Sequence, residues 1–348
     1  MHFCSVDLAI GKNTEALVDL NCKHPYFRHR MTAKPLADER AVPRSPGRRP
    51  WSWFRKPEFG QMGRTRVIMF HGIGGGLFPT NAFEKLLVHL QRRFEVLHIG
   101  EALLRIGSEQ PRTRPSVVLT FDDGLRNHAE VVYPLLSKYG LPAVFYVCPG
   151  LIEARQWLWP HEVRQRLLTM PIADRVAWAS EAGICVSDPN GIVEAMKGLP
   201  NCTRLDLLAS VRRVTQGFQP SEQQQRQFDV MSWNQLLSLD PQLVTVGSHT
   251  LTHPIMTSLP FEELEREFKE SRLWLERRLQ RSVEHFCYPN GSENLRVRTC
   301  AAKHYRSAVT TEMGYWYAST DALGIPRIDG DPRRLKMTWN LHRNYPNR

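Results

Sequence analysis

A chain of 348 residues with 42% hydrophobic and 23% charged side chains can build the core of one large α/β domain or two smaller ones, which excludes a wholly disordered chain. No stretch approaches the roughly 18 apolar residues that a membrane-spanning helix needs. The net charge of +11 is uneven, because residues 1–66 hold 13 Lys and Arg against 6 Asp and Glu while the remainder is close to balance.

The N-terminal region carries Asp7, Lys12, Glu15, Asp19 and Lys23 where an export signal would run apolar, so a soluble cytoplasmic protein is expected. Residues 1–63 read as a basic, Pro-rich, flexible tail. Its six prolines, Pro25, Pro35, Pro43, Pro46, Pro50 and Pro57, remove backbone donors and prevent a continuing helix or sheet. A solvated linker accounts for that composition, and so does peripheral contact with an anionic membrane, with Trp51, Trp53 and Phe54 as anchors. No zinc-finger or RNP-type motif supports a nucleic-acid partner. The seven cysteines form no C-x-x-C pair and read as scattered buried thiols, not as a disulfide framework.

From Arg66 the texture changes. Val67–Phe70 is a strand candidate, followed by helical spacing over Phe83–Leu90. Val117–Thr120 is a second strand, with a helix over Ala129–Tyr139 and a third strand at Ala143–Val147. Residues 170–230 are polar and helix-compatible. Leu243–Val246, the charged amphipathic helix Phe261–Leu279, and strands at His285–Tyr288, Ser307–Thr310 and Ile325–Ile328 complete the series. Strands alternating with helices predict parallel βαβ units in a domain over residues 64–348.

Four polar clusters each follow one of these strands: His71, then Asp122-Asp123-Gly124, then His249 and His253, then Pro289-Asn290-Gly291. Parallel α/β folds build their sites at the C-terminal ends of strands, so four such ends suggest one shared rim. Two adjacent carboxylates repel, and a divalent cation on one would leave the other free as a base. The same D-D-G string also suits a simple Asx-type turn. His249 and His253, four residues apart, can point two imidazoles at one ion, although such a pair also occurs as two surface histidines. With Asp123 they make a three-ligand set with open positions, for which Zn²⁺ is the expected ion and Co²⁺, Ni²⁺ and Mn²⁺ remain open.

Thr120-Phe121-Asp122-Asp123-Gly124 and Ser248-His249-Thr250-Leu251-Thr252-His253-Pro254 together resemble the first two motifs of the polysaccharide deacetylase family, also called carbohydrate esterase family four or the NodB homology domain. Phe286–Gly291 is similar to the F-x-[YW]-P-x-G form of its third motif. The resemblance spans roughly residues 66–330 and implies an irregular (β/α) barrel. It further implies Asp122 as general base, Asp123, His249 and His253 as metal ligands, and the backbone N–H of Asn290 as an oxyanion donor.

The implied activity is hydrolysis of an N-acetyl (or O-acetyl) group on an aminosugar-containing saccharide or surface-polysaccharide precursor. Phe70-His71 resembles the branch in which an N-terminal strand end supplies the general acid, so His71 is expected in that role, with His342 in reserve. The third motif has Cys287 where many members place an Arg that orients the catalytic Asp, which leaves the surroundings of Asp122 open. Deformylation or hydrolysis of another C–N amide, on a lipid-linked aminosugar or cyclic amide, is the rival chemistry. A degenerate carbohydrate-binding module is the non-enzyme rival, and the intact carboxylate and histidine set argues against it.

Overall fold

The computed structural model describes residues 63–108 and 114–343. The expected basic tail falls almost wholly outside that range. Nine strands occur in it: β1 Arg64–Phe70, β2 Glu95–Val96, β3 Ser116–Phe121, β4 Ala143–Val147, β5 Val244–Ser248, β6 His285–Cys287, β7 Ser307–Met313, β8 Trp316–Tyr317 and β9 Ile325–Asp329. Seven of them close a parallel barrel in the order β1-β3-β4-β5-β6-β7-β9 and back to β1. β2 adds to the foot of β3, and β8 lies antiparallel beside β1. This is the irregular barrel that the resemblance implies, one strand short of the eight-fold form. Only Ser248 and Phe286 pair β5 with β6.

The strands are buried on both faces, as parallel strands under a helical layer must be. One set of alternating residues, Val67, Val118, Val144, Tyr146, Cys287, Val309 and Ile325, packs together inside the barrel. The other set, including Ile68, Leu119, Phe145, Val246 and Phe286, packs outward against helices at Thr80–Arg93, Tyr133–Tyr139, Phe261–Leu279 and Arg334–His342. Each such fully buried side chain contributes on the order of 1.5–3 kcal/mol. The same alternation continues past the strand ends. Residues two and four beyond Val118 are Thr120 and Asp122, and two beyond Ile325 is Arg327, so polar groups cap an apolar interior.

Most predicted elements appear with shifted ends. The Ala129–Tyr139 helix begins as a π-turn at His128–Val132 before Tyr133–Tyr139 continues as α-helix. The two-residue strands β2 and β8 are too short to show periodicity and were not expected. Between β4 and β5 the chain makes a helical insertion, with helices from Pro149–Ala154 to Trp233–Leu237. It carries its own apolar cluster, built around Trp159, Val163, Trp178, Ile192 and Val211. Among the described residues no helix is long and apolar enough to cross a membrane. Cys148, Cys287 and Cys300 are buried free thiols as expected, whereas Cys202 is exposed and Cys185 is disulfide-bonded, against that expectation.

Candidate active site

The turn after β3 is set by Gly124. Its φ is +62°, and a Cβ there would sit 2.9 Å from Val147 Cγ1, so both backbone and space require glycine. Asp123 beside it is held at φ 79°, and Thr250, His253 and Asn290 also have positive φ, at 70°, 61° and 55°. The two remaining such non-glycine residues among those described, Arg155 and Gln280, are helix C-caps. Strain of this kind costs of order 1–3 kcal/mol per residue and persists only where the surroundings impose it.

What imposes it in the β5 loop is Glu267, from the long helix Phe261–Leu279. Its buried carboxyl accepts hydrogen bonds from Leu251 N at 2.7 Å, Thr252 N at 3.1 Å and Thr252 Oγ1 at 2.7 Å. Thr250 Oγ1 accepts a further bond from His253 N at 2.9 Å. The loop therefore presents both imidazoles inward. His249 Nε2 lies 3.4 Å and His253 Nε2 3.6 Å from the same atom, Asp123 Oδ1. His249 Nδ1 donates to Cys287 O at 2.8 Å, which fixes the ring so that Nε2 faces the carboxylate.

These three buried donors fit a divalent cation. Asp123 is 5% exposed, and its ion-pair contacts among the described residues are imidazoles only, at distances too long for good hydrogen bonds. Burial opposes its charge, yet the surrounding His161, His249 and His253 hold the carboxyl well below its usual range. Burial, followed by the neighbouring His249, holds His253 down to about 3, so it stays neutral and able to ligate at neutral pH.

Asp122 is handled differently. Arg327, from β9, grips it through two hydrogen bonds of 2.7 Å, one to each carboxylate oxygen. The same guanidinium donates to Thr120 Oγ1 at 3.1 Å and Thr310 O at 2.7 Å. Burial alone would raise the Asp122 carboxyl; the charge and hydrogen bonds of Arg327 outweigh it and hold the pKa at about 2. Asp122 is thus ionised at any physiological pH, with a lone pair on each oxygen still free to accept a proton.

Two of the remaining expected residues, His71 and Asn290, fall at the same rim. His71 follows β1, whose Phe70 pairs with Phe121, and Phe70 O accepts a bond from Asp122 N at 2.9 Å, so His71 and Asp122 leave neighbouring strands side by side. Its side chain is exposed, and its carbonyl faces the buried His128 ring, Nε2 to O 3.1 Å. Asn290 is exposed in the turn after β6. His342 is elsewhere: its ring lies tilted against that of Phe94, near Arg66, toward the foot of β1. At ~3.3 Å per residue that is about 16 Å along the strand from His71.

Sequence reasoning missed four residues of this centre: Arg327, Glu267, His128 and His161. A lone arginine at an inward position of an otherwise apolar strand, Ile325-Pro326-Arg327-Ile328, was the available signal for Arg327. Nothing in the local pattern marks the other three.

Residues 109–182 and 215–309 match the family model described as polysaccharide deacetylase, and the gap falls inside the helical insertion. The Bacillus subtilis protein YxkH is 26% identical over 103 residues, which are 28% of this chain and 37% of that one. The matched stretch thus spans little over a third of that curated relative. Among solved structures, the Streptococcus pyogenes deacetylase PplD in complex with acetate superposes with a TM-score of 0.53 at 18% identity, covering 77% of this chain and 93% of that one. IcaB from Ammonifex degensii gives 0.54 at 16% identity, covering 80% and 97%. These two likenesses concern the fold. Taken with the ordered motif residues on one barrel rim and the family match across them, they lead to one assignment: the chain belongs to the polysaccharide deacetylase family.

Proposed function

We propose that this chain is a metal-dependent hydrolase that removes N-acetyl (or O-acetyl) groups from an aminosugar-containing saccharide. The observation that carries the reading is the division of labour between two adjacent buried carboxylates. Asp122 is neutralised by Arg327, and Asp123 is left to two inward-facing imidazoles. Asp123, His249 and His253 would hold the cation, with Zn²⁺ favoured by a His₂Asp set, and it would polarise the acyl oxygen and the attacking water.

The protein's own groups do the rest. Asp122, ionised and fixed in orientation by Arg327, accepts the proton as water adds to the acyl carbon. A pKa near 2 makes it a weak base at rest; the Arg327 fork contributes orientation and a guaranteed charge instead. The backbone N–H of Asn290 would face the oxyanion that develops. His71, beside Asp122 on the next strand end, would give a proton to the departing amine as the C–N bond breaks.

Acetate release from a panel of N-acetylated oligosaccharides, lipid-linked and nucleotide-linked sugars tests this, with metal-loaded wild type compared to Asp122→Asn. Loss of the base should cost on the order of 10²–10⁴ in rate with metal binding retained. An Asp122→Asn variant as fast as wild type would remove the general-base assignment. A metal-loaded wild type that releases formate or another acyl group, but no acetate, would move the reading to the corresponding amide hydrolase.

A further inference from the structure

The family motifs supply Asp123, His249 and His253, but a third imidazole faces the same carboxylate from the other side. His161 sits in the first turn of the helix Trp159–Thr169, inside the β4–β5 insertion. Its Nε2 lies 3.8 Å from Asp123 Oδ2, whereas the contacts of His249 and His253 are to Oδ1. The ring is stacked on Phe228, with centroids 4.8 Å apart and planes 28° off parallel.

Phe228 is itself fixed, because the segment after it is hydrogen-bonded to the turn that carries the carboxylates. Arg126 N donates to Asp229 O at 2.7 Å, and Met231 N donates to Gly124 O at 2.9 Å. The insertion is anchored from a second side too: its apolar cluster includes Ile255, two residues past His253.

The tautomer of His161 follows from its surroundings. Its Nδ1 is buried without a hydrogen-bond partner among the described residues. A buried bare lone pair is tolerated better than a buried orphan N–H, so the proton belongs on Nε2. That places the donor on the ring nitrogen that faces Asp123 Oδ2, 3.8 Å away. A donor that closes on one oxygen, with a pair of imidazoles beside the other, would fix the carboxylate as a one-oxygen ligand, the arrangement outer-sphere partners commonly impose.

We propose that His161 is a positioning residue for Asp123, delivered by the helical insertion, and that cation binding at Asp123, His249 and His253 thereby clamps this insertion onto the barrel. This rests on the metal reading above but not on the identity of the substrate. It predicts that loss of the His161 N–H weakens metal binding about 10–100-fold, the usual effect of removing such a partner.

The test is Zn²⁺ affinity of the full-length protein, by competition with a chromogenic chelator, in wild type, His161→Phe and His161→Gln. Phe keeps the stack on Phe228 and lacks a donor; Gln keeps an N–H and loses the ring. The expected order is wild type, then Gln close behind, then Phe weaker by the stated factor. Hydrogen exchange over residues 159–169 should slow on adding Zn²⁺ to wild type and not to His161→Phe. A merely structural ring would give the reverse order, with Phe binding like wild type and Gln impaired, and that result would overturn the inference. Should wild type itself take up no Zn²⁺, the metal reading falls with it; wild-type binding matched by His161→Phe defeats this inference alone.

Discussion

Replacing Arg327 by Met should turn the best-compensated carboxylate of the site into its worst. The guanidinium side chain is 1% exposed and the Asp122 side chain 3%, so neither charge can be rescued by water. Removing one partner of such a buried pair costs about 3–5 kcal/mol, because the other is left uncompensated. That is a large share of the roughly 5–15 kcal/mol available to a typical domain.

The pH dependence adds a sign that can be checked. In wild type the folded Asp122 pKa is depressed from 3.8 to about 2. Its contribution is therefore present above the unfolded value and lost as pH falls through the folded one, worth on the order of 2 kcal/mol. In Arg327→Met the main influence opposing burial is gone and the folded pKa rises. The contribution is then present below the unfolded value and lost as pH climbs through the raised one. The stability gap between wild type and variant should widen from acid to neutral pH.

Urea unfolding of metal-depleted protein across that range measures it, with the double variant Asp122→Asn/Arg327→Met as control. A neutral, shape-similar pair should recover more than half of the loss, since buried pairs often exchange for neutral ones at little cost. A loss below about 1 kcal/mol near neutral pH, or a gap that does not change with pH, would refute the charge-compensation account.

Two further substitutions probe the loops that hold Asp123, His249 and His253. Gly124→Ala forces a side chain into a left-handed conformation and against Val147, which should cost about 2–4 kcal/mol in chemical denaturation and weaken Zn²⁺ binding through Asp123; a change within about 0.5 kcal/mol would mean the turn relaxes freely. Glu267→Gln keeps an acceptor for Leu251 N and Thr252 N while removing a charge whose pKa burial pushes up. Because the folded value is raised, wild type loses stability relative to Gln as pH rises through it, so Gln should be neutral or stabilising near neutral pH and Glu267→Ala destabilising by about 1–3 kcal/mol. Thermal melts of the three proteins at two pH values check the order, and a Gln variant as unstable as Ala would show that the full carboxylate charge holds the loop.

The sequence alone determined the parts of this protein that depend on local pattern. Apolar runs bounded by turn residues marked all seven barrel strands, because a strand buried on both faces reads as a continuous Val, Leu and Phe run. The motif strings placed Asp122, Asp123, His249 and His253 at strand ends, since the sharp turn at Gly124 and the loop before Pro254 are written in a few consecutive residues. Only the tertiary structure decided what surrounds them. Arg327 lies 205 residues from Asp122, Glu267 16 from Leu251, and His161 38 from Asp123 in a segment whose helical pattern carries no mark of its position. His71 and His342 both stood as donors in the sequence, and barrel closure separates them by putting one at the C-terminal rim of β1 and the other near its foot. Ligand type and turn geometry are local properties; compensation of a buried charge is set by whichever side chain the closed barrel brings within 3 Å, and no stretch of sequence encodes that distance.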